Sequence, residues 1–254
     1  MTLLSELSGY LDGYLRVREI PDEPNALNGL QVENSGEIDR IVAAVDASLE
    51  TIAATGIGGS PLLLVHHGLF WDGHAALTGR RMRRVRALLE RDAAIYAAHI
   101  PLDVHPEVGN NVVLARRLGV DIGGWFGAYR GIQLGVWGEA PHSLRDRAAL
   151  AEHLGELLGS QPRLLPGGPP QARRLGVVTG AAGSMIAAAR DAGLDTFITG
   201  EGPHHTYFDA MEWGINVIYA GHYATEQGGV QALAAHLAKH FGLPWEFHHH
   251  PTGL

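Results

Sequence analysis

The 254-residue chain is long enough for one large domain or two lobes of about 125 residues each, and either size buries a substantial core. The absence of cysteine excludes disulfides, thiolate zinc sites and cysteine nucleophiles, leaves site chemistry to oxygen and nitrogen, and matches a reducing compartment. A net charge of -8 excludes general attraction to nucleic acid or anionic membranes; the unusual count is histidine, at 15.

In chain order, the N-terminal segment has no unbroken apolar run of signal-peptide type, and the later apolar runs are only strand-sized, so a soluble cytoplasmic protein is expected. Short apolar β-type runs then alternate with amphipathic stretches, the pattern of a mostly parallel sheet covered by helices. Expected strands are Arg40 to Val45, Leu62 to Val65, Ala93 to Ala98, Ile132 to Val136, Leu175 to Val178, Thr196 to Thr199 and Asn216 to Ala220. Expected helices are Leu3 to Val17, Leu49 to Thr55, Met82 to Arg91, Asn111 to Leu118, Leu144 to Leu158, Ser184 to Ala192, Tyr207 to Gly214 and Gly228 to Phe241. The proline-rich stretch Pro162 to Pro170 cannot sustain a helix or a central strand and reads as an exposed connection. The tail containing His248 to His250 reads as solvated.

Two parts of the chain, roughly 40–120 and 174–242, repeat one order: strand, polar turn, helix, strand, His-rich turn, helix, strand, H-x-x-x-acid. His99 and Asp103 in the first correspond to His222 and Glu226 in the second. The fold class expected is therefore α/β, with duplicated, mostly parallel sheets flanked by helices in two similar lobes.

In parallel sheets ligands bind beyond the carboxyl ends of the strands. The polar residues crowd there: Asp46, His66, His67, His99, Asp103, Glu201, His204, His205, His222 and Glu226. Imidazoles and carboxylates drawn from several loops suit zinc, iron, manganese or cobalt. Three or more imidazoles with two acids exceed what one catalytic ion takes, which makes two ions plausible. A lone histidine at a strand end is usually a hydrogen-bonded structural group, but the adjacent His66 and His67 are costly to bury without partners and read as ligands.

Several segments in one order carry a resemblance: Asn28 to Val32, Ala44 to Ser48, His66 to Trp71, Ala98 to Asp103, Thr199 to His205 and Gly221 to Glu226. Over nearly its whole length the chain resembles the Nif-three-like dinuclear-metal family, whose members are called GTP cyclohydrolase I type 2 homologues. The resemblance implies two divalent ions per chain, held by His66, His67, Asp103, His222 and Glu226 with the two acids as bridges. It also implies a homohexameric ring with its sites facing an inner cavity. Gly68, where the family has proline, and Pro101-Leu102 depart from the pattern without removing a ligand.

Gly56 to Pro61 lacks the third glycine of a dinucleotide fingerprint, and Ser184 sits in no nucleophile elbow but at a helix start. The arginine-rich Gly79 to Arg86 reads first as a solvated helix face and second as an attractor of an anionic substrate; Phe70 and Trp71 read as core or subunit contacts. The leading expectation is a dinuclear metal-dependent hydrolase acting on GTP or a related nucleotide, with His99, Glu201, His204 and His205 as proton-transfer candidates. The rival is a non-catalytic metal-binding assembly or regulatory protein built on the same ligands.

Overall fold

Alternation along the strands decides how the helices pack. Ile41, Ala43, Leu62, Leu64 and Tyr96 bury one face of a sheet, and Val42, Ala44, Leu63, Val65 and Ile95 bury the other. Successive side chains point to opposite faces, so a run that is apolar at every position needs cover on both. In the computed structural model, which describes residues 1–254, that cover comes from helices on each side. Leu4–Tyr14 and His222–Phe241 supply Leu7, Leu11, Leu233 and Leu237 to the first face; Leu49–Ala54 and Gly79–Leu89 supply Ile52 and Leu88 to the second.

The chain divides into two compact units, residues 1–108 with 229–250 and residues 109–228 with 251–254. The first holds a five-stranded sheet in the order Trp245–Phe247, Arg40–Asp46, Pro61–His67, Ala94–Ala97, Gly29–Val32. Its first four strands are parallel, and Gly29–Val32 is antiparallel to its neighbour.

The second unit holds six strands in the order Asp121–Tyr129, Ile132–Glu139, Arg174–Val177, Thr196–Thr199, Asn216–Tyr219, Arg163–Pro166. The Arg174, Thr196 and Asn216 strands form a parallel centre with antiparallel strands on both sides. Leu150, Leu154, Val112 and Leu114 from two helices cover one face, and Ile186, Ala189 and Ala210 cover the other. Each unit thus carries a strand, helix, strand, helix, strand series. No helix is long and apolar enough to cross a membrane.

Several elements differ from the sequence expectation. The last long helix begins at His222, six residues before the expected Gly228. Gly228 lies inside it and lets Val113 approach; a Cβ there would stand 2.8 Å from Val113 Cγ1. Within the proline-rich connection, Arg163–Pro166 forms an edge strand antiparallel to Asn216–Tyr219, a position that tolerates proline because one side needs no donor. Ser184 lies in a 3-10 turn, Gly183–Met185, and the α-helix starts after it at Ile186.

The strand Asp121–Tyr129 has no counterpart among the expected elements, because Gly123, Gly124 and Gly127 interrupt it. The Trp137 ring across the hairpin fills the room over Gly123, where a Cβ would meet it at 2.7 Å. The hairpin closes through Arg130 and Gly131, both at positive φ, the conformation of a two-residue type I′ turn. In the tail, His248 N–H donates to Ala43 O at 2.8 Å and His250 Nε2 meets Glu50 Oε2 at 2.6 Å, so the tail is tied to the sheet edge.

Candidate functional site

In the first unit the chemistry starts where Pro61–His67 ends. His66 is fully buried, and its Nδ1–H donates to Ala98 O at 2.8 Å. A carbonyl only accepts, so Nδ1 carries the proton and Nε2 keeps its lone pair, 3.6 Å from Asp103 Oδ1. His67 Nδ1 lies 2.8 Å from Asp46 Oδ1, the acid ending the neighbouring strand. His99 Nδ1 lies 2.7 Å from Asp22 Oδ1. Potential ligand nitrogens of His66, His67 and His99 all fall within 4.8 Å of one another. Asp103 is buried at the end of the short helix Ile100–Asp103, and its N–H bond back to His99 O at 3.1 Å sets its place.

Asp22 is the residue that sequence reasoning missed. It accepts from His99 Nδ1, from Asn28 Nδ2 at 2.8 Å and from Ile100 N at 3.0 Å, while Asn28 Oδ1 accepts from His99 N at 2.8 Å. Burial alone would raise its pKa, but the hydrogen bonds and charge of His99, with those of Asn28 and Glu23 N–H, hold it below the usual carboxylate range. No local spacing points to Asp22, which lies 77 residues from His99. Removing it leaves four donors without an acceptor, so Asp22→Ala is expected to lower stability by about 1–3 kcal/mol and to free the His99 tautomer. Thermal unfolding and imidazole nitrogen NMR check this; an unchanged His99 tautomer would contradict it.

The Trp71 and His99 ring centroids lie 4.8 Å apart with the planes at 90°, and those of Trp71 and His67 lie 5.7 Å apart. Asn25, Asn28, Gln31, Phe70 and Trp71 line a small recess of about 10 Å³ beside His66 and His99. Gly68 fits here because Gln31 occupies the space a side chain would need: its Oε1 accepts from Leu69 N at 2.7 Å and its Nε2 donates to Leu27 O at 2.6 Å.

In the second unit, His222 opens the His222–Phe241 helix, which brings Glu226 one turn later onto the same side. His222 Nδ1 donates to Glu201 Oε1 at 2.7 Å, and Nε2 lies 3.2 Å from Glu226 Oε2. Burial opposes a charge on His222, but Glu226 and then Glu201 outweigh it and push its pKa up to about 9. Glu226 is 2% exposed and rests on Gly180, whose φ of +70 and lack of Cβ leave room for its carboxylate. Gly180 N donates to Thr225 Oγ1 at 3.0 Å, and Thr225 Oγ1 donates to His222 O at 3.0 Å. His204 and His205 are exposed in the turn before Thr206–Trp213, His204 against the Phe208 ring at 5.9 Å.

The donor set of the first unit fits a divalent ion, with ligand nitrogens of three imidazoles within 4.8 Å of one another. His66, His67, His99 and His222 each have Nδ1 committed to a carbonyl or carboxylate oxygen, the outer support typical of metal-ligating imidazoles, with Nε2 directed elsewhere.

Comparison with known proteins adds the relatives. Residues 2–252 match the model of the Duf34/NIF3 (NGG1p interacting factor 3) family. A Deinococcus radiodurans protein named GTP cyclohydrolase 1 type 2 homolog is 47% identical over 250 residues, covering 98% of this chain and 94% of that one. A Pyrococcus abyssi protein of the same name is 42% identical over 250 residues, covering 98% of each. Among solved structures, TTHA1606 from Thermus thermophilus superposes with a TM-score of 0.86 at 41% identity over 100% of both chains.

Proposed function

Because the chain belongs to the Duf34/NIF3 family, we propose that it is a dinuclear metal-dependent hydrolase acting on GTP or a related nucleotide. His66, His67, Asp103, His222 and Glu226 would hold two divalent ions, the two carboxylates neutralising their charge. The observation that carries the reading is the common arrangement of the imidazoles, each anchored through Nδ1 and offering Nε2. The names of the relatives supply the nucleotide, and the closed homohexamer implied by the resemblance belongs to the same proposal.

Bound ions would supply Lewis acidity and a nucleophile drawn from water at neutral pH. The chain's own residues do the rest. Asp46, Glu201 and Ala98 O fix the ring planes and keep Nε2 as the ligand atom. Asp22 holds His99 with Nε2 outward, where it can pass a proton to or from a ligand. Trp71 limits access of water to His99.

Protein purified without chelator is expected to carry about two zinc, iron, manganese or cobalt ions per chain by elemental analysis. Loading the metal-free protein has to displace the His222 proton, so affinity is expected to climb about tenfold per pH unit from pH 6.5 and to level off near pH 9. Saturation at one ion or none, or pH-independent uptake, would contradict the ligand set. A screen of GTP and other nucleotides with each metal restored tests turnover, and no hydrolysis with any of them would favour the non-catalytic reading.

A further inference from the structure

Trp71 stands at the tip of a turn whose two ends are fixed. Gly73 N–H donates to Phe70 O at 2.8 Å and closes the turn. Before it, Leu69 is buried and its N–H donates to Gln31 Oε1 at 2.7 Å. After it, Arg81 donates to Gly73 O at 3.0 Å and to Ala75 O at 2.6 Å, and its guanidinium lies 5.5 Å from the centre of the Phe70 ring. The backbone on either side is held, and the freedom that remains is rotation of the Trp71 side chain about its own bonds.

The recess that Trp71 shares with His66 and His99 has room of about 10 Å³, no more than a single water needs. Small-molecule sites run to about 300–1,000 Å³, so nothing of that size enters the recess while Trp71 stands where it does. His66 is fully buried, and the side chains of His67 and His99 are 18% and 17% exposed. The other rings of the recess are tied: His66 and His99 are hydrogen-bonded through Nδ1, and Phe70 packs on the core and against Arg81. Trp71 is half-buried and has neither a hydrogen bond nor a place in a core cluster; its ring contacts with His99 and His67 hold it. Contacts of this kind are individually weak, and two of them favour the closed position by about five- to a hundredfold.

We propose that Trp71 is a side-chain gate that sets the rate at which ions and ligands reach the His66, His67 and His99 imidazoles. A gate that closes equally over the filled and the empty cluster multiplies the entry and exit rates by one factor and leaves affinity alone. A ligand larger than an ion holds the gate open and forfeits the ring contacts when it binds, so it loses affinity by the closed-to-open ratio. The part played by ions rests on the function proposed above; the shielding of the imidazoles does not.

Two probes of the full chain test this in wild type, W71A and W71F: diethyl pyrocarbonate on the metal-free protein, and cobalt(II) uptake followed by release to EDTA. Diethyl pyrocarbonate acylates neutral imidazole, mass spectrometry reads each histidine separately, and the exposed His142 serves as the internal reference. His67 and His99 are expected to react at least about fivefold faster in W71A and by a smaller factor in W71F, with His142 unchanged. Cobalt is expected to enter and leave W71A at least about fivefold faster, with Kd within about twofold of wild type. Unchanged reactivity of His67 and His99 in W71A overturns the gate. So does weaker cobalt binding at an unchanged entry rate, which would make Trp71 a positioning residue for the rings. Trp71-dependent reactivity in a protein that takes up no cobalt leaves the gate standing and removes the metal reading; full cobalt uptake with reactivity and rates unchanged in W71A does the reverse. Denaturant unfolding confirms that each variant is folded, and W71F, which keeps a smaller ring at the same place, decides the matter if W71A is not.

Discussion

Asp103→Ala or Glu226→Ala is expected to deprive the protein of both ions, whereas His66→Ala or His222→Ala weakens one position more than the other. In the proposed ligand set a bridging acid would be shared, so its loss would remove a ligand from each ion and also the charge that neutralises them, whereas a terminal imidazole would serve one. Removing the groups that support a ligand typically costs about 10–100-fold in metal affinity, so loss of a bridge is expected to exceed about 100-fold. Both acids are buried, Asp103 at 7% and Glu226 at 2% exposure, which leaves little room for water to replace them. Competition with a chelator of known affinity, on variants shown to be folded by circular dichroism, measures the effect. Two ions retained at unchanged affinity in folded Asp103→Ala and Glu226→Ala would remove the bridging assignment.

Gly200→Ala is expected to destabilise the chain by about 3 kcal/mol and to disturb His222 together with it. The glycine follows the buried strand Thr196–Thr199, and a Cβ there would stand 2.6 Å from Gly180 O, 2.7 Å from His222 Cα and 3.0 Å from Gly221 O. All three neighbours are backbone, so no side chain can rotate away and the cost falls at the upper end of ordinary overpacking. Gly200 N also donates to Gly180 O at 2.9 Å, and Gly221 N to Gly200 O at 2.9 Å. Displacing Gly200 therefore moves the floor under Glu226 and the start of the His222–Phe241 helix at once. Denaturant unfolding and metal titration of the variant read both effects; wild-type stability would show that the loop yields more easily than its packing implies.

The central strands are legible in the sequence because their apolar runs are short, bounded by turns and buried on both faces: Thr196–Thr199 has the expected limits, and Arg40–Asp46 and Pro61–His67 extend the expected ones by a residue or two. The edges are not. Asp121–Tyr129 is rich in glycine because Trp137 needs the space, and Arg163–Pro166 contains proline because one side of it is unpaired. Both are tertiary facts that local propensity cannot report. At the site, histidines next to glycines at strand ends stand out in the sequence. Their supports, Asp22 and the carbonyl of Ala98, do not, since a carbonyl has no sequence signature and Asp22 sits in a loop with no periodicity.

The Nδ1 anchors of the four imidazoles come from 21 to 77 residues away along the chain. An unfolded chain holds none of these pairs, so its imidazoles rotate freely and change tautomer independently. The sheets have to assemble first, and the rings are then already oriented when an ion arrives. In the proposed reading ion uptake would follow folding instead of nucleating it, unlike small zinc modules that are unstructured without metal. The ion's contribution would be that of a ligand selecting the native state, growing with the logarithm of free metal concentration, and the fold beneath it stands on its own core.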